Sequence, residues 1–153
     1  MCLETDWFWS VVRAGKVEPW LAEAHEQNGT VVDAAAAAMS RYAAGGYAVV
    51  AEGILGPWFL PVLAAPLRAA GVPLHYAVLR PPLEVCVDRV RSRAPAGGSI
   101  TSAPARHMWE QFSDLGPYEA HVVDNEHLSP AEAAETVLGL VSEGHLLVHD
   151  PAS

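Results

Sequence analysis

Tyr47-Ala48-Val49-Val50-Ala51-Glu52-Gly53 is a short apolar run that closes on an acid and a glycine. A continuous apolar run without polar alternation reads as a strand buried on both faces, and Gly45-Gly46 before it breaks the preceding helix. The run predicts a strand over 47–51. Two further runs of this kind follow downstream: Leu74 to Leu79 (LHYAVL), entered from Gly71-Val72-Pro73, and the shorter His121 to Val123 (HVV). Cys2 to Thr5 reads as the tail of a fourth strand. Helices fill the intervals. Ala22 to Ala44 carries the alanine run Ala34–Ala38, whose helix propensity is high. Trp58 to Ala70 reads as a helix interrupted or bent near Pro61 and Pro66, and Pro82 to Arg93 starts with prolines tolerated in a first turn. Pro104 to Leu115 and Pro130 to Ser142 follow, the last opening on Ser129 as N-cap, proline at the first position and an acid in the first turn.

Strands alternating with helices imply an α/β fold, a mostly parallel sheet covered by helices on both faces. Ligands of such sheets bind beyond the carboxyl ends of the strands. Those ends carry Asp6, Glu52, Arg80 and Asp124-Asn125.

Bulk properties bound the function. A chain of 153 residues predicts a single domain, 1–153, long enough to bury a core. With 51% hydrophobic and 18% charged residues, disorder is not expected. No apolar run is long enough for a membrane span, and no signal peptide is visible at the N-terminus. Cys2 and Cys86 form no CxxC pair and read as free thiols of a cytoplasmic protein, with a disulfide as the alternative. A net charge of -9 argues against nucleic acid and anionic membrane as partners. Oligomeric state has no sequence signal. Of the nine Lys+Arg, Arg80, Arg89, Arg91, Arg93 and Arg106 fall in one segment that holds only Glu84 and Asp88 as acids. This cationic island suits a small anionic ligand; the alternative is a set of arginines on a solvated helix face.

Each candidate residue has a functional and a structural reading. Asp6, ahead of Trp7-Phe8-Trp9, is a general base or a helix N-cap. Glu52 is an acid placed to assist Mg²⁺ through water, or an ordinary charge entering a loop. Arg89 and Arg93, four apart, share a helix face and flank with Arg106 the Gly-rich stretch Pro95–Ser99, as lid arginines over phosphates would. The alternative is favourable placement of cations at a helix C-terminus. The aromatics Trp7, Phe8, Trp9, Trp20, Trp58 and Phe59 line an apolar acceptor pocket or pack the core. His145, His149 and Asp150 read as tail residues, since a metal site needs more ligands. No Gly-x-x-x-x-Gly-Lys-Ser/Thr occurs: the only lysine, Lys16, sits in Ala14-Gly15-Lys16-Val17, which lacks the earlier glycine and the hydroxyl residue. No nucleophile elbow occurs either.

Leu3-Glu4-Thr5-Asp6, Val49-Val50-Ala51-Glu52-Gly53, Val78-Leu79-Arg80-Pro81, Arg89 to Arg93 and Val122-Val123-Asp124 resemble, in that order, the P-loop small-molecule kinases. That group includes gluconate kinase, shikimate kinase and chloramphenicol phosphotransferase, and its bacterial relatives are often labelled AAA-type ATPase domains. Arg106-His107-Met108-Trp109-Glu110-Gln111-Phe112 is similar to the helix after the lid. The resemblance covers nearly the whole chain and implies a three-layer P-loop NTPase-like sheet. It also implies ATP and Mg²⁺ as cofactors and a small hydroxylated molecule as acceptor. By it, Asp6 contacts the acceptor hydroxyl and acts as base, and Glu52 matches the Walker B region. Arg89 and Arg93 match lid arginines, with Arg106 beside them, and Asn125 matches the loop bordering the adenine. In that group a first strand, a phosphate loop and a first helix precede the acid matched by Asp6, and the strand sits in the middle of the sheet. The resemblance therefore implies an N-terminally incomplete domain, inactive as this chain. A start codon assigned too far downstream, a fragment, or a degenerate relative without ATP chemistry would each account for it. The rival class is a non-catalytic binding or regulatory protein on the same fold, favoured by the missing loop and opposed by the retained acid and arginines.

Overall fold

The computed structural model describes residues 1–93 and 102–149. The chain divides into two compact units, Met1–Leu74 and His75–Ser153. Both mix helix and parallel strand, in agreement with the α/β expectation. No helix among the described residues is long and apolar enough to cross a membrane.

In the first unit, strand β1 (Cys2–Glu4) pairs in parallel with β2 (Val50–Glu52), Cys2 opposite Val50 and Glu4 opposite Glu52. Helix α1 (Asp6–Ser10) follows β1 directly, a 3₁₀ turn spans Ala22–Ala24, and α2 runs from His25 to Ala44. The alanine-rich stretch propagates α2, and its stripe Val31, Val32, Ala35, Ala36 and Met39 is buried. That stripe belongs to the interface with α3 (Leu60–Ala69), which buries Leu60, Leu63 and Leu67. Each leucine so buried contributes about 1.5–3 kcal/mol of transfer free energy. Pro61 sits in the first turn of α3, where no N–H is missed. Pro66 lies inside it, so the carbonyl one turn earlier loses its helical donor, yet the helix continues to Ala69. Ser40 Oγ donates to Pro66 O at 3.0 Å and ties the two helices together.

Helix α2 stops where the glycine pair predicts. Gly46 has φ +89°, Gly46 N donates to Ala43 O at 2.9 Å and Tyr47 N to Tyr42 O at 3.2 Å. This 6→1, 5→2 pattern needs a left-handed residue at its turn, and glycine supplies it without a Cβ clash.

In the second unit, β3 (Val78–Leu79) pairs in parallel with β4 (Val122–Val123). Helices α4 (Leu83–Ser92), α5 (Ala103–Gln111) and α6 (Pro130–Ser142) accompany them, with a 3₁₀ segment at Gly116–His121. The predicted strand over 74–79 is mostly spent elsewhere. Tyr76 N donates to Leu146 O at 2.9 Å, and His75 bridges Leu147 in antiparallel sense, leaving only Val78 and Leu79 for β4. The core holds Tyr76, Val78, Val87, Leu115, Val123 and Leu146, with His121 buried among them. His121 Nδ1 lies 2.8 Å from Tyr76 O. A carbonyl only accepts, so Nδ1 carries the proton.

Helix α6 starts as the sequence predicts. Glu132 N donates to Ser129 Oγ at 3.3 Å, Ser129 N to Glu132 Oε2 at 2.8 Å, and Pro130 occupies the first turn. Ser129→Ala is expected to destabilise the protein by about 1 kcal/mol in chemical denaturation; an unchanged midpoint would mean that water satisfies Glu132 N equally well.

Arg80, at the end of β3, clamps the turn after α5. Its Nη1 donates to Phe112 O at 2.6 Å and Glu119 Oε1 at 2.9 Å, and its Nη2 to Glu119 Oε2 at 2.8 Å. Glu119 Oε1 also accepts from Leu115 N at 2.8 Å. The Arg80 bond first, and the Leu115 N–H second, hold the Glu119 carboxyl down to about 2. A depressed folded-state value contributes stability above the ordinary 4.5, lost as pH falls from 4.5 to about 2. Over that window the melting temperature should fall more steeply in the wild type than in Glu119→Gln. Parallel profiles would show that the pair adds nothing, as many exposed ion pairs do.

Candidate functional site

The carboxyl ends of β1 and β2 bring two of the sequence-selected residues to one edge. Thr5 N and Thr5 Oγ1 each donate to Glu52 O, both at 2.9 Å. Thr5 is completely buried. This double bond to one carbonyl fixes the end of β1 against the end of β2. Thr5 is the N-cap of α1, with no side-chain capping bond, because its hydroxyl is committed to Glu52. Asp6 is therefore not the cap that one structural reading made it; it is an exposed residue of the first turn.

Gly53 completes the edge. Its φ is +151°, and a Cβ there would lie 1.9 Å from Thr5 Oγ1 and 3.6 Å from Asp6 Oδ1. Only a residue without a side chain lets the backbone just after β2 pass against the Thr5 hydroxyl. Glu52 is exposed at the end of β2. The arrangement is thus an exposed carboxylate, Asp6, on a rigid strand end with a second acid on the neighbouring strand. It can accept a proton from a hydroxyl placed against it. It does not form a metal centre by itself: no group of three or more His, Cys, Asp or Glu among the described residues is placed to hold an ion.

In the second unit, the structure brings Arg89 and Asn125 together. Arg89 Nη2 donates to Asn125 O at 2.8 Å and to Glu126 O at 3.4 Å, so this half-buried arginine organises the loop after β4. Asp124 Oδ1 accepts from Glu126 N at 2.9 Å and tightens the same turn. The Asn125 Oδ1 atom is buried without a hydrogen-bond partner among the described residues. Burial pushes the Cys86 thiol up, against the pull of the Arg89 charge. The other arginines of the island differ. Arg91 lies 3.7 Å from Asp88 and Arg106 4.0 Å from Glu84. Arg93 is exposed at the end of α4, as a cation at a helix C-terminus would be. The Pro95–Ser99 stretch and Asp150 lie outside the described residues.

The aromatic residues divide between the two readings. Trp9 is buried, its Nε1 donating to Asn28 Oδ1 at 2.8 Å, while Asn28 Nδ2 donates to Pro19 O at 2.7 Å. It packs the first unit. Trp7, Trp20 and Trp58 stay largely exposed. His145 Nδ1 lies 3.3 Å from Glu143 Oε2 on the surface. Sequence reasoning missed Thr5 and Gly53; the signal was the placement of each beside an acid at a strand end.

No protein-family model matches the chain, and no curated protein matches it significantly.

Proposed function

We propose that this chain carries the acceptor side of an ATP-dependent phosphotransferase of the P-loop small-molecule kinase type, acting on a small hydroxylated molecule. The observation that carries the reading is the strand pairing. Among the described residues every named strand pairs in parallel, β1 with β2 and β3 with β4, as strands of a P-loop-type sheet do. Of the residues that the resemblance selects, Asp6 follows β1 closely, Glu52 ends β2 and Asn125 follows β4, at strand ends where ligands of such sheets bind, while Arg89 and Arg93 belong to α4 and its end and Arg106 to α5. Asp6 orients the acceptor hydroxyl and takes its proton as the oxygen attacks the γ-phosphorus of ATP, the bond from that phosphorus to the bridging oxygen breaks and ADP leaves. Arg89 shapes the Asn125 loop, which borders the nucleotide base in this reading.

The nucleotide side fits less well. Among the described residues no group of three or more acids, histidines or cysteines gathers at Glu52, and Arg89 is engaged with two carbonyls. No step is therefore assigned to the metal, and the phosphate cradle is assigned to none of the described residues. The same observation favours the second reading, a binding or regulatory protein on this scaffold. The two separate in a phosphoryl-transfer assay. The protein as expressed from its own gene is given Mg-ATP and a panel of small alcohols and sugars. A phosphorylated product supports the kinase reading. Absence of both product and ATP hydrolysis across the panel overturns it in favour of the binding protein.

A further inference from the structure

Beside β1 in the first unit lies an open groove of about 440 Å³, within the size range of small-ligand sites. Cys2, Leu3 and Glu4 of β1 form part of it. Trp7 and Phe8 of α1 and Tyr42 of α2 supply aromatic surface. Trp7 is 59% exposed and Tyr42 44%, so neither ring is consumed by the core. Both are held in place: Trp7 and Phe8 meet edge to face, centroids 5.3 Å apart, and Tyr42 meets Tyr47 likewise at 6.1 Å.

The electrostatics of the groove are one-sided. Glu4 is its only charged lining residue, and neither lysine nor arginine lines it; Arg41, next to Tyr42 on α2, does not. Glu4 also stands in register with Glu52 across the parallel pair, so two like charges are neighbours on one face. Among the described residues no cation pairs with Glu4. An anion would meet only repulsion here. A cation would pair with Glu4 and lie against aromatic surface.

We propose that this groove binds a small organic cation, an ammonium or quaternary ammonium group on an apolar body. The site is independent of the phosphotransferase reading and needs no nucleotide. Its test is calorimetry on the whole chain with three probes of similar size: benzyltrimethylammonium, benzyl alcohol and phenylacetate. The cation is expected to bind about tenfold tighter than the neutral alcohol, and phenylacetate weaker than either. Glu4→Gln should erase the preference while leaving benzyl alcohol unchanged, and Trp7→Leu should weaken the cation, both with the wild-type circular dichroism spectrum. Cys2 is exposed and gives a second readout. A trimethylammonium-ethyl methanethiosulfonate should modify it faster than the sulfonate-ethyl reagent, each rate normalised to a free small thiol, and this selectivity should fall in Glu4→Gln. No binding of the cation, equal affinity for cation and alcohol, or a preference that survives Glu4→Gln would overturn the proposal.

Discussion

Asp6→Asn is expected to lower phosphoryl transfer by about 10²- to 10⁴-fold, the range for loss of a positioned general base. The amide keeps the size and the local backbone but cannot take the hydroxyl proton. Because Asp6 is exposed, the substitution should change stability by no more than about 0.5 kcal/mol. The loss should fall on kcat and on kcat/KM alike, since the carboxylate acts as the proton leaves and not in ground-state binding. The assay is steady-state kinetics on the protein as expressed from its own gene, with melting curves for both forms. Full turnover in a folded Asp6→Asn protein would remove Asp6 from the chemistry.

Gly53→Ala is expected to cost about 3 kcal/mol of stability. Two causes add. At φ +151° an alanine occupies backbone space that side chains avoid, at about 1–3 kcal/mol. Its Cβ would also lie 1.9 Å from Thr5 Oγ1. Thr5 is fully buried and cannot swing into solvent, so its hydroxyl must give up Glu52 O, and a buried hydroxyl left without a partner costs about 1–3 kcal/mol. Urea unfolding followed at 222 nm measures the total. Combining Gly53→Ala with Thr5→Ala separates the causes: the double variant recovers the steric part and retains the backbone part, so the two changes should be clearly non-additive. Additive losses, or a Gly53→Ala protein as stable as wild type, would contradict the geometry of this edge. The same substitution should lower turnover, because relieving the clash with Thr5 shifts the chain next to Asp6, whose Oδ1 would lie 3.6 Å from the added Cβ.

The features legible in the sequence are those set by local chemistry. Gly45-Gly46 marked the end of α2 because a left-handed turn needs glycine there, and Ser129-Pro130-Ala131-Glu132 marked the start of α6 because its capping bonds span only three residues. Parallel strand direction followed from strands separated by helices. The features that escaped were set by partners distant in the chain. The expected strand over 74–79 lost its first half to Leu146 and Leu147, some seventy residues on. Arg80 read as a ligand candidate at a strand end, yet its guanidinium faces Glu119, and no local pattern joins those two positions. Asp6 looked like a cap because the commitment of Thr5 to Glu52 O, across 47 residues, is invisible in the segment itself. Arg89 and Asn125 were both selected, for separate reasons; that one holds the other's backbone became apparent only in the fold.

The proposed function assigns the acceptor-side base to Asp6 and the phosphate cradle to none of the described residues. Calorimetric titration of residues 1–153 with Mg-ATP is the direct check. No binding tighter than about millimolar (roughly -4 kcal/mol) is expected, and micromolar binding (roughly -8 kcal/mol) would mean that residues present here do cradle the phosphates.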